Sequence, residues 1–232
     1  MINKVPKIRF IIATRETKDG FFNNTLTGKT LNIYKFPFVE IKIYPENKLG
    51  LPKIYNKAIE DSKDDPAILI FTHDDIMILD YNWVDRILSS FNHFQILGLA
   101  GNIQRTNSQP SWYFIDENLT RDKFDNLSGI VGHGDTFPPK KISYYGVPFK
   151  EVKILDGLFL AVKSETLIKN NLKFDEIFDF HLWDVDFCRQ AEEKKIKMGT
   201  IPLSIIHKSG GNYDDKWKVE CKKYIDKWKS AQ

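Results

Sequence analysis

The sequence predicts an α/β fold in one domain, with a mostly parallel central sheet flanked by helices. Three observations carry this. Within the first hundred residues, runs rich in β-branched and aromatic residues alternate with runs of helical periodicity, the pattern of parallel strands joined by crossover helices. One run, Leu69 to Asp75, reads Leu-Ile-Phe-Thr-His-Asp-Asp. It is an apolar strand ending abruptly in charged groups, and open α/β sheets bind ligands at that strand end. At 232 residues and 42% hydrophobic content, the chain is long enough for one substantial core.

In chain order, residues 7–14 (Lys-Ile-Arg-Phe-Ile-Ile-Ala-Thr) read as the first buried strand. The polar stretch 15–30, with Gly20, Asn23, Asn24 and Gly28, reads as a long loop or a loop holding a short helix. Residues 39–44 form a second strand closed by Pro45. Leu51, Ile54, Tyr55, Ala58 and Ile59 lie at helical spacing, with Pro52 near the first helical position. Residues 67–72 are the third strand, 81–91 the next helix and 96–101 a fourth strand.

From 102 to 147 the pattern loosens around seven glycines and prolines, which predicts a long excursion with short strands, a place for substrate-specific loops. Residues 151–163 give two strand-like runs split by Asp156-Gly157, and 164–170 a short helix with Ser164 as its cap. A further helix runs from 181 or 184 to 195, and 197–206 is extended. The last segment, 214–229, sets Trp217, Cys221, Tyr224, Ile225 and Trp228 on one helical face amid six lysines. The plainer account packs that stripe on the core; the sharper one lays the helix on an anionic membrane surface as a peripheral contact.

Composition removes several classes. A net charge of +3, from 34 basic and 31 acidic residues, gives no field that argues for nucleic acid as the main partner. Two cysteines, Cys188 and Cys221, without metal-ligand spacing argue against a disulfide framework or structural zinc and fit a reducing cytoplasm. The N-terminal residues carry charges through their first apolar stretch, and no run reaches the length of a membrane span.

Chemistry concentrates in three places. Asp74 and Asp75 after a strand suit a divalent cation that neutralises phosphate oxygens, although such a pair more often simply turns the chain. Asp184 and Asp186 are two apart, so on a regular helix they face nearly opposite sides and do not share one site. One of them is therefore expected at or before the helix start. Both could serve only as helix-end carboxylates, or one could act as a general base. His207 ends an apolar run before Gly210-Gly211 and gains interest only as a further metal ligand beside Asp75.

These pieces in this order resemble the family 2-like glycosyltransferases of the Rossmann-like GT-A fold. The resemblance rests on Ala13-Thr14-Arg15, Leu51 to Asn56, His73-Asp74-Asp75, Asp156-Gly157, Asp184-Val185-Asp186 and His207. It covers most of the chain, and the ordered set rather than any one motif makes it specific. It implies that Asp75 and His207 bind a divalent cation, Mn2+ or Mg2+. His73, standing where the family has its first acid, would contact ribose or metal. Thr14, Arg15, Asn56, Asp74, Asp156 and Gly157 would line the nucleotide-sugar donor. Asp184 is the implied general base, with Asp186 in reserve; Trp183 replaces the glutamate that usually precedes it.

By that resemblance the chain is a metal-dependent, inverting glycosyltransferase. It would move a sugar from a nucleotide-sugar donor, UDP-linked in the commonest case, to a glycan or glycolipid acceptor in surface polysaccharide biosynthesis. Residues 1–101 would hold the donor, 102–212 the acceptor and catalytic groups, and 213–232 the C-terminal helix. Two rivals stand beside it. A sugar-1-phosphate nucleotidyltransferase needs a glycine-rich loop after the first strand, and residues 13–17 (Ala-Thr-Arg-Glu-Thr) lack one. A non-catalytic nucleotide-sugar or glycan-binding protein of the same fold would treat His73 and Trp183 as lost catalytic positions.

Overall fold

Alternation along the first strands decides which side chains meet which layer. The computed structural model describes residues 5–229, and in it β1 (Ile8–Ala13) is buried along nearly its whole length. Ile8, Phe10 and Ile12 point into one hydrophobic core and Ile11 into the other, as period-two side chains require. The polar stretch that follows forms two short helices, α1 (Lys18–Asn24) and α2 (Leu26–Leu31), each started by a threonine. Thr17 Oγ1 accepts the Gly20 N–H, and Thr25 Oγ1 accepts the Gly28 N–H. After β2 (Val39–Tyr44), helix α3 (Leu51–Asp61) buries the predicted apolar face and returns the chain to β3 (Ile68–Thr72). Strands β2, β1 and β3 pair in parallel, with Ile8 opposite both Val39 and Ile68.

The chain continues through β4 (Ile76–Ile78), α4 (Trp83–Ser90), β5 (Ile96–Gly98), β6 (Ala100–Asn102), β7 (Leu127–His133), β8 (Lys141–Gly146), β9 (Glu151–Val152), β10 (Ile154–Leu155) and β11 (Phe159–Lys163). Helices α5 (Ser164–Lys169) and α6 (Trp183–Glu193), strands β12 (Met198–Thr200) and β13 (Ile205–His207), and helix α7 (Asp215–Lys229) complete it. Seven strands form one sheet in the order β2-β1-β3-β11-β5-β12-β9. A second sheet runs β10-β6-β7-β13-β4, with β8 on β7.

The sheet is mixed rather than purely parallel, because β11 enters antiparallel between β3 and β5. That insertion brings a strand from after the 102–147 excursion into the middle of the first sheet. The run 96–101, predicted as one strand, is two: β5 belongs to the first sheet and β6 to the second. Small residues permit the change of sheet, since a Cβ at Gly98 would lie 2.7 Å from Leu155 Cδ2 and one at Gly101 would lie 2.4 Å from the Ile154 carbonyl oxygen.

Two local expectations differ. Ser164 does not cap its helix; it is the first helical residue, and its hydroxyl accepts the Ala67 N–H at 3.1 Å, tying α5 to the entry of β3. On α7, Trp217, Cys221, Tyr224 and Trp228 are buried in the core shared with α3 and α6. The aromatic stripe that a membrane-surface helix would need is therefore spent on packing, and the peripheral membrane reading loses its apolar face. Residues 230–232 of that segment lie outside the described residues. Among the described residues no helix is long and apolar enough to cross a membrane, and Cys188 and Cys221 are free and buried.

Candidate functional site

Strand β3 ends at Thr72, and the next three residues, His73, Asp74 and Asp75, turn the chain into β4. Thr27 of α2 fixes that turn: its N–H donates to the Asp74 carbonyl at 3.1 Å, its hydroxyl to the His73 carbonyl at 2.9 Å, and its Oγ1 accepts the Ile76 N–H at 3.0 Å. β13 pairs antiparallel with β4, which sets His207 opposite Ile76 and so beside Asp75. The following residues lock the pair together, the Lys208 N–H donating to the Asp75 carbonyl and the Ser209 N–H to Asp75 Oδ2, both at 3.0 Å.

Asp75 Oδ1 lies 3.3 Å from His207 Nε2 and 3.8 Å from His73 Nδ1. One ligand atom from each of the three residues falls within 4.8 Å of the others. Asp75 Oδ1 is buried and accepts no well-aligned hydrogen bond, its nearest partner being the His207 ring. Burial opposes charge on Asp75, yet His207, Ser209 and His73 outweigh it and hold the carboxyl well below its usual range. Burial likewise opposes the charged form of His207, but Asp75 pulls its pKa up; His73 is pushed down by burial and by His207. Two imidazoles and a carboxylate oxygen within reach of one point are a donor set that fits a divalent cation.

On the other side of the cleft stand Asp156, Gly157 and Asp184. Asp156 and Gly157 link β10 to β11, and the Leu158 carbonyl accepts the His73 N–H at 3.2 Å, so this turn touches the metal-type cluster directly. Asp184 is the second residue of α6. Leu182, at φ 58°, is the left-handed bend that aims Trp183 into the core and Asp184 into the cleft. Asp184 Oδ2 accepts the Gly157 N–H and Oδ1 the Val185 N–H, each at 2.9 Å. Burial, with the Asp156 carboxylate beside it, raises its pKa to about 7. Gly157 is required by closeness: a Cβ there would lie 2.6 Å from the Trp183 ring and 3.0 Å from Asp184 Cβ. Asp156 acts electrostatically on His73, His207 and Asp184 alike, so both groups lie within its reach.

The remaining sequence-predicted residues divide. Thr14 donates to Asp74 Oδ2 at 2.5 Å, at the C-terminal ends of β1 and β3, and burial lifts the Asp74 pKa. Arg15 is exposed beside them. Asn56 is engaged within the fold: its amide donates to the Phe174 carbonyl and to Glu176, and its Oδ1 accepts the Phe174 N–H at 3.0 Å, so the side chain clamps α3 to the 174–176 segment.

Asp186 is fully buried and turned away from the cleft. Its Oδ1 takes the Lys227 ammonium at 2.6 Å and the Trp228 indole N–H at 2.8 Å, and its Oδ2 takes Gln190 at 2.7 Å. Both aspartates lie within the helix, against the expectation that one precedes it, because opposite faces of the first two turns serve the cleft and α7 separately. Sequence reasoning missed Thr27, hidden in the polar stretch, whose three hydrogen bonds hold the 73–76 turn.

Over residues 39–228 the sequence matches the profile of a family described as glycosyltransferase like family. No curated protein matches it. Among solved structures, A197 from STIV is similar with a TM-score of 0.53 at 16% identity, covering 88% of this chain and 86% of that one. S. aureus TarS 1–349 is similar with a TM-score of 0.50 at 13% identity, covering 94% of this chain and 64% of that one. GalNAc-T7, crystallised with UDP, GalNAc and Mn2+, follows with a TM-score of 0.49 at 10% identity, and this chain spans 48% of it. At such identities the likeness is one of fold, and the fold is the GT-A fold, with a mixed sheet.

Proposed function

Since the chain belongs to the glycosyltransferase-like family, we propose that it is a metal-dependent, inverting transferase moving a sugar from a nucleotide-sugar donor, UDP-linked, to a hydroxyl of a glycan or glycolipid acceptor. The observation that carries this is one cleft holding two different acids. Asp75 is kept ionised between two histidines, and Asp184 is held near neutrality by burial and Asp156.

Asp75, His207 and His73 would hold the cation. When bound there, a divalent ion supplies positive charge to the diphosphate that leaves the sugar. Thr14, Asp74 and Arg15, at the C-terminal ends of β1 and β3, stand where the nucleoside would lie. Asp184 takes the proton of the acceptor hydroxyl as that oxygen attacks. A carboxylate with a pKa of about 7 is a stronger base than an ordinary aspartate and is still half ionised at neutral pH. The Gly157 and Val185 N–H groups orient it. A single base on the acceptor side suffices for inversion, in keeping with Asp186 being engaged elsewhere. On this reading residues 1–101 serve the donor and 102–212 the acceptor and catalysis.

Nucleotide-sugar binding and hydrolysis, measured with and without Mn2+ for the unaltered chain, Asp75→Ala and Asp184→Ala, test the proposal. The expected pattern is metal-dependent donor binding lost in the first variant, and turnover lost with binding kept in the second. No donor binding by the unaltered chain would overturn the proposal. Binding without turnover for any donor and acceptor would favour the non-catalytic alternative.

A further inference from the structure

Every sheet edge offers unpaired N–H and C=O groups to a further strand, and folded proteins guard such edges with charge, shortness, irregularity or cover. In the first sheet, β2 carries Glu40 and Lys42, ion-paired to Arg9 and Asp61, and β9 is two residues long. In the second, β10 is also two residues long, and β4 is three, with the Thr27 hydroxyl of α2 bonded to the Ile76 backbone. β8 differs from all of these. It is six residues long and, among the described residues, pairs with β7 alone. Its one charge, Lys141, stands at its first residue, and the irregularity at Gly129 and Ile130 of β7 disturbs its far end. Between these, Ile142-Ser143-Tyr144 carries no guard. A groove of about 340 Å3, lined by residues 141–145 together with Tyr113, Arg121 and Phe124, flanks the strand.

The outward face of this edge is apolar. Ile142 and Tyr144 point the same way, Ile130 of β7 stands opposite Tyr144, and the Phe124 ring lies 5.9 Å from that of Tyr144. Ile142, Tyr144, Ile130 and Phe124 are 63%, 52%, 39% and 55% exposed, so they form one contiguous patch rather than scattered surface residues. Ser143 points the other way, toward the cleft: its hydroxyl is 2.9 Å from His133 Nε2, and His133 stands opposite His207.

We propose that a second copy of the chain closes this edge, the two β8 strands pairing antiparallel about a two-fold axis at Ser143. A two-fold axis between neighbouring antiparallel strands is perpendicular to the sheet, so it sets outward residue against outward residue. With the axis at Ser143, Ile142 of each copy falls opposite Tyr144 of the other. Aliphatic-aromatic pairs of this kind stabilise antiparallel sheets, and each is bordered by a Phe124 ring. The neighbouring registers lose the match. An axis at Ile142 brings Lys140 against Tyr144 and Lys141 against Ser143, and an axis at Tyr144 brings Ile142 against Gly146. Charge favours the same register. Lys141 falls opposite Tyr145, and the two Lys141 positions stand about 13 Å apart along the strands, beyond the roughly 8–10 Å over which exposed charges stay coupled in salt. The perpendicular axis also places both clefts on one side of the dimer, with His207 two strands from the interface across β7 and β13. None of this depends on the transferase reading.

Sedimentation velocity of the full chain over about 1–100 µM tests the proposal, with Ile142→Lys and Tyr144→Glu at exposed positions as variants. The parent should dimerise, and each variant alone should weaken the dimer by about tenfold or more. Mixing the two variants should restore association, because a mixed dimer keeps one Ile142-Tyr144 contact and sets opposite charges against each other in the second. Ser143→Cys should form an intermolecular disulfide on mild oxidation, since Cys188 and Cys221 are buried. A parent that stays monomeric over the whole range, a dimer indifferent to both variants, a mixture no stronger than its components, or a Ser143→Cys dimer that does not cross-link would each overturn this pairing.

Discussion

Replacing Asp184 by asparagine should make the protein more stable at alkaline pH and nearly inactive at every pH. Moving an aspartate from its ordinary value near 4 to about 7 means that the folded state keeps a proton the unfolded chain releases. Below about pH 4 both states are protonated and the group contributes nothing. As pH rises from about 4 to 7 the unfolded state binds fewer protons than the folded one, so stability falls, by about 4 kcal/mol once pH exceeds 7. Asparagine does not ionise and escapes that loss. It keeps a carbonyl for the Gly157 N–H but turns an amide toward Val185 N–H, a sacrifice of about 1 kcal/mol.

The variant should therefore be slightly less stable than the parent at pH 4 and about 3 kcal/mol more stable at pH 8. Urea denaturation of both proteins across that range, with chelator present, reads the difference; titrations elsewhere cancel. Turnover with donor and acceptor should fall by about 10²–10⁴, the usual worth of a general base. In the parent, kcat/KM should rise with pH and level off near 7. A parallel pH dependence of stability in the two proteins would refute the buried, raised carboxyl, and undiminished turnover would refute its role as base.

Further outcomes follow from the same geometry. Asp75→Ala and His207→Ala should each weaken Mn2+ binding in calorimetry by more than the roughly 10–100-fold that an outer-shell partner is worth, and Thr27→Val, which frees the 73–76 turn, by about that smaller factor. Asp186→Ala should lower unfolding free energy by about 1–3 kcal/mol, because the buried Trp228 N–H loses its acceptor while Lys227 keeps Asp175, and donor affinity should stay unchanged. Asn56→Ala should cost about 1–3 kcal/mol of stability and leave KM for the donor where it was, since its hydrogen bonds go to residues 174 and 176. Gly157→Ala should cost about 1–3 kcal/mol by overpacking Trp183, and should also slow turnover by displacing Asp184.

What could be read from sequence is what a few consecutive residues decide. The end of β3 is such a place: Leu69 and Phe71 face one core and Ile70 the other, and the chain turns polar at His73, so both the strand and its charged tip show in one heptapeptide. Strand neighbours are not decided locally. β11 sits between β3 and β5 only because the chain returns from the 102–147 excursion in the opposite direction, and no residue of β11 announces that. Asn56 illustrates the same limit. An amide on an amphipathic helix could face a ligand or another segment, and its partner, Phe174, stands 118 residues away.

The two aspartates of α6 sharpen the point. Their spacing alone requires opposite faces, and the structure obeys it. Which face is chemical depends on what each meets. Asp186 meets an ammonium, an indole N–H and an amide, all of which satisfy a carboxylate and make it a clamp on α7. Asp184 meets two backbone N–H groups and another carboxylate, a setting that leaves its proton affinity high. The difference arises from Lys227 and Trp228, some forty residues downstream. Burial raises the pKa of both, but at Asp186 the Lys227 ammonium, Gln190 and the Trp228 N–H oppose the rise, whereas at Asp184 the Asp156 carboxylate adds to it, and that difference leaves Asp184 as the one of the pair with a proton to exchange near neutral pH.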